Sequence, residues 1–122
     1  MNLQVRYAEQ EDCVFCEKAA AILTEHYRGD LREVVDFEPL NPVTPGHRLF
    51  VPTVHVVDAA DVPEIAGVVM LHAARWARTR GEQFNLITSG GSDASQTVFH
   101  LHAHYVPRHA SDGLSLPWTE HA

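Results

Sequence analysis

The sequence predicts an α+β domain, an antiparallel sheet of about five strands carrying two helices. Three observations predict it. Apolar residues recur at helical spacing in two segments, short apolar runs between turn signals read as strands, and the turns joining most of those strands are too short for crossovers. At 122 residues, 45% of them hydrophobic, the chain can bury a core without disulfides, and one domain over residues 1–122 is expected.

The first helix is read from Glu17 to Tyr27, where Ala20, Ile22, Leu23 and Tyr27 follow roughly helical spacing and Gly29 supplies a stop. Arg32 to Phe37 reads as a strand. Pro45 and Gly46 suit the central positions of a type II turn, Pro fixing φ and Gly taking the positive φ that follows. A strand from His47 to Pro52 leaves this turn. The second helix starts at Asp61-Val62-Pro63-Glu64, with Asp61 as N-cap, Glu64 three residues on and Pro63 in the first turn. Ile65, Val68, Val69, His72 and Trp76 then keep helical spacing until Gly81. Gln83 to Thr88 is a strand, Ser89 to Ser95 a Gly/Ser-rich loop, and Val98 to Val106 a strand closed by Pro107. No repeat or linker interrupts the chain.

Composition excludes several classes of function. Nine Lys plus Arg against sixteen Asp plus Glu leave a charge of -7, which disfavours nucleic acid and anionic membrane surfaces as partners. The longest apolar run, Ala66 to Leu71, is far below the roughly 18 residues of a spanning helix. Met1 to Asp12 has neither a basic start nor an apolar stretch, so a cytoplasmic location is expected. There, Cys13 and Cys16 point to metal or redox chemistry before a structural disulfide.

Nine histidines match the whole Lys plus Arg count, and three alternate in His100-Leu101-His102-Ala103-His104. Strand periodicity sends those imidazoles to one face and Leu101, Ala103 and Tyr105 to the other. Three adjacent imidazoles repel when protonated, so some are expected to be neutral and available as nucleophile, base or metal ligand. A solvated polar strand, or a metal site using all three, are the competing readings. The preceding loop, Ser89-Gly90-Gly91-Ser92-Asp93-Ala94-Ser95-Gln96-Thr97, has the glycines and donors of an anion-binding loop.

With that loop, the alternating histidines resemble the signature of the histidine triad (HIT) superfamily. Cys13-Val14-Phe15-Cys16, Pro42-Val43-Thr44-Pro45-Gly46-His47 and Pro107-Arg108 extend the resemblance over nearly the whole chain. It implies a HIT-like fold and a nucleotide hydrolase or nucleotidyl transferase, usually a homodimer, acting at the α-phosphorus. Relatives in the galactose-1-phosphate uridylyltransferase branch carry Gln at the third triad position; His104 here favours hydrolysis. By position, His102 is the implied nucleophile, His104 and His47 support it, and Ser89, Gln96 and Thr97 contact phosphate. The expected substrates are dinucleoside polyphosphates or adenylated small molecules. A phosphorylase, or a nucleotide-binding sensor with little turnover, is the alternative.

Cys13 and Cys16 admit three readings: a redox pair, buried thiols, or half of a zinc site completed by His55 and His100. Some bacterial triad proteins resemble the last, with structural zinc held at the same four positions. The chain also departs from the family pattern. Ser89 is shorter than the Asn or Gln common there, Ser95 replaces a usual Gly, and Pro39 stands where an acidic or amide side chain usually meets the ribose. Glu38 is expected to point away from the site by strand alternation. Val68, Val69, His72 and Trp76 are the expected surface of a dimer.

Overall fold

A computed structural model describes residues 13–22 and 33–119. Helix α1 (Val14–Ile22) precedes strands β1 (Val34–Phe37) and β2 (Arg48–Pro52), helix α2 (Pro63–Arg80), strand β3 (Phe84–Ile87), a 3-10 turn (Ser92–Ala94) and strand β4 (Ala103–Pro107). Four strands, rather than about five, pair antiparallel in the order β1-β2-β4-β3 among the described residues.

Helix α1 starts three residues before the expected Glu17 because Cys13 caps it. Its Sγ accepts from the Cys16 N–H at 3.4 Å, and its carbonyl accepts from the Glu17 N–H at 3.1 Å. The predicted end, Leu23 to Gly29, and Arg32 of the next strand lie outside the described residues. The Pro45-Gly46 turn forms as expected: the Thr44 carbonyl accepts from the His47 N–H at 3.1 Å, and Gly46 has φ +89°.

Helix α2 ends at Gly81, in the left-handed conformation, as its spacing predicts. Its start differs. Asp58 accepts from the N–H groups of Ala60 and Asp61, both at 3.0 Å, and this tight turn puts Val62 at the N-cap position, while Asp61 accepts from Val57 N–H instead. The Asp61–Glu64 capping box therefore does not form.

Strand β4 also begins later than the expected Val98. The backbone acceptors that a ladder would use are taken by side chains: Thr88 Oγ1 donates to the His102 carbonyl at 2.7 Å, and His102 Nδ1 donates to the His100 carbonyl at 2.8 Å. The alternation of faces survives nonetheless. Leu101, Ala103 and Tyr105 enter the core under α2 with Phe50, Val54, Val56, Ile65 and Val69. Burying each larger apolar side chain there contributes about 1.5–3 kcal/mol. Val69 thus belongs to the core rather than to an outer surface, and Met70 and Leu71 are the exposed large apolar residues of α2. Trp76 is half-buried between the Arg48 and Arg80 guanidinium groups, 4.8 and 4.6 Å from its ring. On the opposite face of the sheet, Ala19 of α1 packs on Val35 and Val51, with Phe15 and Phe37 against them. The site lies on this second face, where register sets Leu49 of β2 opposite His104 of β4.

Candidate active site

The histidines of the site divide into two groups by whether Nδ1 carries a lone pair or a proton. His47 Nδ1 accepts the Val43 N–H at 3.1 Å, so in the neutral ring the proton sits on Nε2. That Nε2 lies 2.9 Å from His104 Nδ1 and donates to it, which leaves His104 with its own proton on Nε2. One main-chain N–H thus sets two tautomers in series, and the last N–H of the chain is a donor. His102 has the opposite polarity. Its Nδ1–H is held by the His100 carbonyl, so Nε2 carries the lone pair. The His102 and His104 rings stand edge to face at 5.2 Å, a lone pair and a donor side by side.

Burial keeps these rings neutral. It lowers the His102 and His47 pKa values below the usual 6.5, and it lowers that of His104 to about 4, with His102 and His47 nearby acting in the same direction.

His102, His104 and Thr97 line one cavity of about 410 Å³ together with Ser95 and Val98. Its other wall is apolar and aromatic: Val14, Phe15, Phe37 and Leu40, with Lys18 and Glu38 also lining it. The sequence reading missed this wall, because Phe15 and Phe37 carry no polar signal and lie far apart in the chain. Glu38 lines the cavity beside Pro39, against the alternation argument, because β1 ends at Phe37 and its alternation ends with it.

The loop is built differently from the expected cradle. Gln96 is 2% exposed; its Oε1 accepts the Gly91 N–H at 2.8 Å, and its Nε2 donates to the Val57 and Val98 carbonyls at 2.7 and 3.1 Å. Both amide hydrogens are used within the protein, so Gln96 shapes the loop instead of reaching the cavity. The Ala94, Ser95 and Gln96 N–H groups are likewise bonded inside the loop. Ser95 holds φ +74°, a conformation Gly adopts more readily. Ser89 is half-buried and outside the cavity lining. Thr97 is the predicted phosphate contact that the fold brings to the histidines.

His100 turns away from His102 and His104 toward the cysteines. Its Nδ1 is 3.4 Å from both Cys13 Sγ and Cys16 Sγ, and His55 Nδ1 is 3.4 Å from Cys16 Sγ. All four ligand atoms lie within 4.8 Å of one another, all four residues are buried, and no disulfide joins the cysteines. Zn–S near 2.3 Å and Zn–N near 2.0–2.1 Å in a tetrahedron separate S and N by about 3.6 Å, so the donor set fits zinc. His100 Nε2 donates to the Pro52 carbonyl at 2.8 Å, which fixes the ring with Nδ1 facing the thiols. Burial lowers the His100 pKa to about 4, which favours the neutral ring that a metal ligand must be. A single metal site using all three triad histidines does not fit this arrangement.

A family profile for the HIT domain matches residues 23–111. An adenylylsulfatase of Arabidopsis thaliana is 29% identical over 113 residues, covering 86% of this chain and 56% of the plant protein. An adenosine 5'-monophosphoramidase of Saccharomyces cerevisiae is 28% identical over 109 residues, covering 87% of this chain and 69% of that protein. Among solved structures, a zinc-bound histidine triad family protein from Mycobacterium smegmatis superposes with a TM-score of 0.71 at 32% identity, covering 86% of this chain and 81% of that one.

Proposed function

The chain belongs to the HIT domain family, and from that premise we propose that it is a nucleotide hydrolase working through a covalent nucleotidyl-histidine at His102. The observation that carries this reading is the opposed polarity of two neighbouring rings in one cavity. His102 offers a lone pair on Nε2, because its Nδ1–H is tied to the His100 carbonyl, while His104 offers an N–H. A nucleophile and a donor are what phosphoryl displacement needs.

In the first step the Nε2 lone pair of His102 forms a bond to the α-phosphorus, and the bond to the leaving group breaks with its electron pair going to that group, an amine leaving group taking up a proton from solvent as it departs. His104 Nε2–H and Thr97 donate to the phosphoryl oxygens as their charge grows. Water then displaces the imidazole, the P–N bond breaks, and the nucleoside monophosphate leaves as the water's second proton passes to solvent. Low pKa values keep both rings in the required forms at neutral pH. The substrate class is a nucleoside phosphoramidate, mixed anhydride or dinucleoside polyphosphate, the first two supported by the names of the yeast and plant relatives.

Zinc at Cys13, Cys16, His55 and His100 is part of the proposal, in a structural role. It supplies cross-linking of the α1 segment to the chain just before β4. Phe15, between the two cysteines, packs edge-on against the His102 ring at 5.0 Å, so the same segment supports the nucleophile.

The test is a rapid quench of the protein with adenosine and guanosine phosphoramidates, followed by mass spectrometry of the intact chain and its peptides. A nucleoside monophosphate adduct on His102 is expected. Turnover with no adduct on any histidine would reject the covalent step.

A further inference from the structure

Lys18 lines the cavity, yet the transfer step makes no use of its charge. Its Nζ lies over the Phe37 ring, 5.5 Å from the centroid, a cation–π contact that keeps the ammonium beside the wall. Phe37 packs edge-on against Phe15 at 5.7 Å, and Phe15 against His102 at 5.0 Å. Two aromatic rings in succession therefore connect the nucleophile to Lys18, with Val14 and Leu40 on the same lining. Such a surface suits a flat base attached, through its sugar, to the phosphorus at His102. In-line displacement sends the leaving group to the side of the phosphorus opposite His102. Lys18 stands instead along the wall that begins at the His102 ring.

We propose that Lys18 is a specificity-determining residue that reads the edge of the base and favours 6-keto purines, guanine and hypoxanthine, over adenine. This rests on the nucleotide reading of the cavity. An ammonium has three donors and no acceptor. Guanine presents it with two adjacent acceptors, O6 and N7. Adenine places an amino group, itself a donor, beside N7, so one of the two contacts becomes a donor–donor clash. The family profile carries no base preference and the plant and yeast relatives are named for adenosine compounds, so the preference is argued from this chain alone, from a cation held over Phe37 on a lining that Glu38 and Asn41 share.

Calorimetric titration of the full chain with GMP, IMP and AMP tests the inference without requiring turnover. GMP and IMP should bind alike and about five- to tenfold tighter than AMP, a single partly solvated charged contact being smaller than a bidentate base contact. In Lys18→Met, which keeps the length and apolar stem, the three should fall within about twofold of one another. Lys18 is exposed, so the variant should keep its fold and its melting temperature. Equal or tighter binding of AMP by the parent, or a preference that persists in Lys18→Met, overturns the proposal. So does a preference for GMP over IMP, which would assign the selectivity to the 2-amino group. A 6-keto preference in binding with no hydrolysis of either phosphoramidate would remove the reaction and leave the role of Lys18 standing. Hydrolysis with no base preference would do the reverse, and failure of all three monophosphates to bind at millimolar concentration would remove both.

Discussion

His100 and His102 are two residues apart, both buried, and their rings serve opposite purposes. His100 gives its Nε2–H to the Pro52 carbonyl and turns Nδ1 into a cluster of thiols; His102 gives its Nδ1–H to the His100 carbonyl and keeps Nε2 for the cavity. The residue type is the same, and burial lowers the pKa of both. The difference lies in which backbone carbonyl captures which nitrogen. On the proposed reading, the imidazole whose lone pair converges with other lone pairs serves as a ligand, and the one whose lone pair meets a donor beside open space serves as the nucleophile. The two regions share the segment that separates them, so breaking each in turn should give distinct failures.

The largest effect is expected at His102. His102→Ala should lower kcat by several orders of magnitude, because no neighbouring group can replace a covalent nucleophile. The zinc content should stay at that of the parent, since His102 is not among the four clustered donors. Steady-state kinetics and metal analysis on the same preparation check both halves. Activity within tenfold of the parent would end the covalent mechanism and with it the contrast between the two rings.

The metal region should fail differently. Purified chain is expected to carry close to one zinc, and Cys13→Ser or His55→Ala should lose it. Metal held only by the folded state adds to folding free energy, so these variants should melt lower by at least about 5 °C. Activity should fall as well, since Phe15 and Val14 of the same segment line the cavity, but by less than in His102→Ala. Mass spectrometry under native conditions and thermal melts measure this. An unmetallated parent chain from zinc-supplemented expression would leave the cluster as buried thiols and imidazoles.

The contrast between the regions was only half legible in the chain. Alternation of His100, His102 and His104 with Leu101, Ala103 and Tyr105 correctly separated a chemical face from a packed one, because a period of two needs only extended backbone, not a paired strand. The Thr44–His47 turn and the Gly81 stop were readable because Pro and Gly act through their own dihedrals. Other features depended on partners distant in sequence. Nothing local marks Cys13 as a helix cap or moves the α2 start off Asp61; both result from where a thiol and the Asp58 carboxylate settle in the folded chain. Gln96 looked like a phosphate donor because its type and place were right. Its amide is consumed by the Val57 and Val98 carbonyls, a fact of tertiary packing. Thr97, one residue on, is free of that constraint and lines the cavity.

The relay from Val43 through His47 to His104 is a more subtle place to test the comparison. Because burial depresses the His47 and His104 pKa values, the parent should keep its kcat/KM from pH 7 down to about 6, where an ordinary imidazole would already be largely protonated. Stability follows the same sign. Between the unfolded value of 6.5 and the folded value of about 4 the unfolded chain binds more protons, so the contribution of His104 is present above 6.5 and is lost as pH falls toward 4. His47→Ala should admit water beside His104 and release its tautomer. The expected cost is about tenfold in kcat, with the acid limb of the rate profile moving up toward 6.5. A loss of rate with an unmoved acid limb would mean that His47 acts on packing alone.

The smallest effect is expected at the sugar. Pro39 has neither a side-chain acceptor nor an N–H, and the neighbouring Glu38, which lines the same cavity, is exposed. A buried site that hydrogen-bonds a hydroxyl rejects the analogue lacking it by up to about 10⁴-fold, because the abandoned partner stays unpaired. An exposed carboxylate is rehydrated when the hydroxyl is removed, and its bond is worth about 1 kcal/mol. Removing both ribose hydroxyls from a good substrate should therefore lower kcat/KM by less than about tenfold. Glu38→Gln should shrink even that ratio, while Thr97→Ala, which removes a donor to phosphate, should cost more for every substrate alike. A hundredfold preference for the intact ribose that survives Glu38→Gln would require a desolvated acceptor, and a main-chain carbonyl near Pro39 would then hold the sugar. Discrimination would in that case sit in the backbone, where no substitution of a side chain could remove it, and the cavity would be selective at both ends instead of mainly at its phosphate.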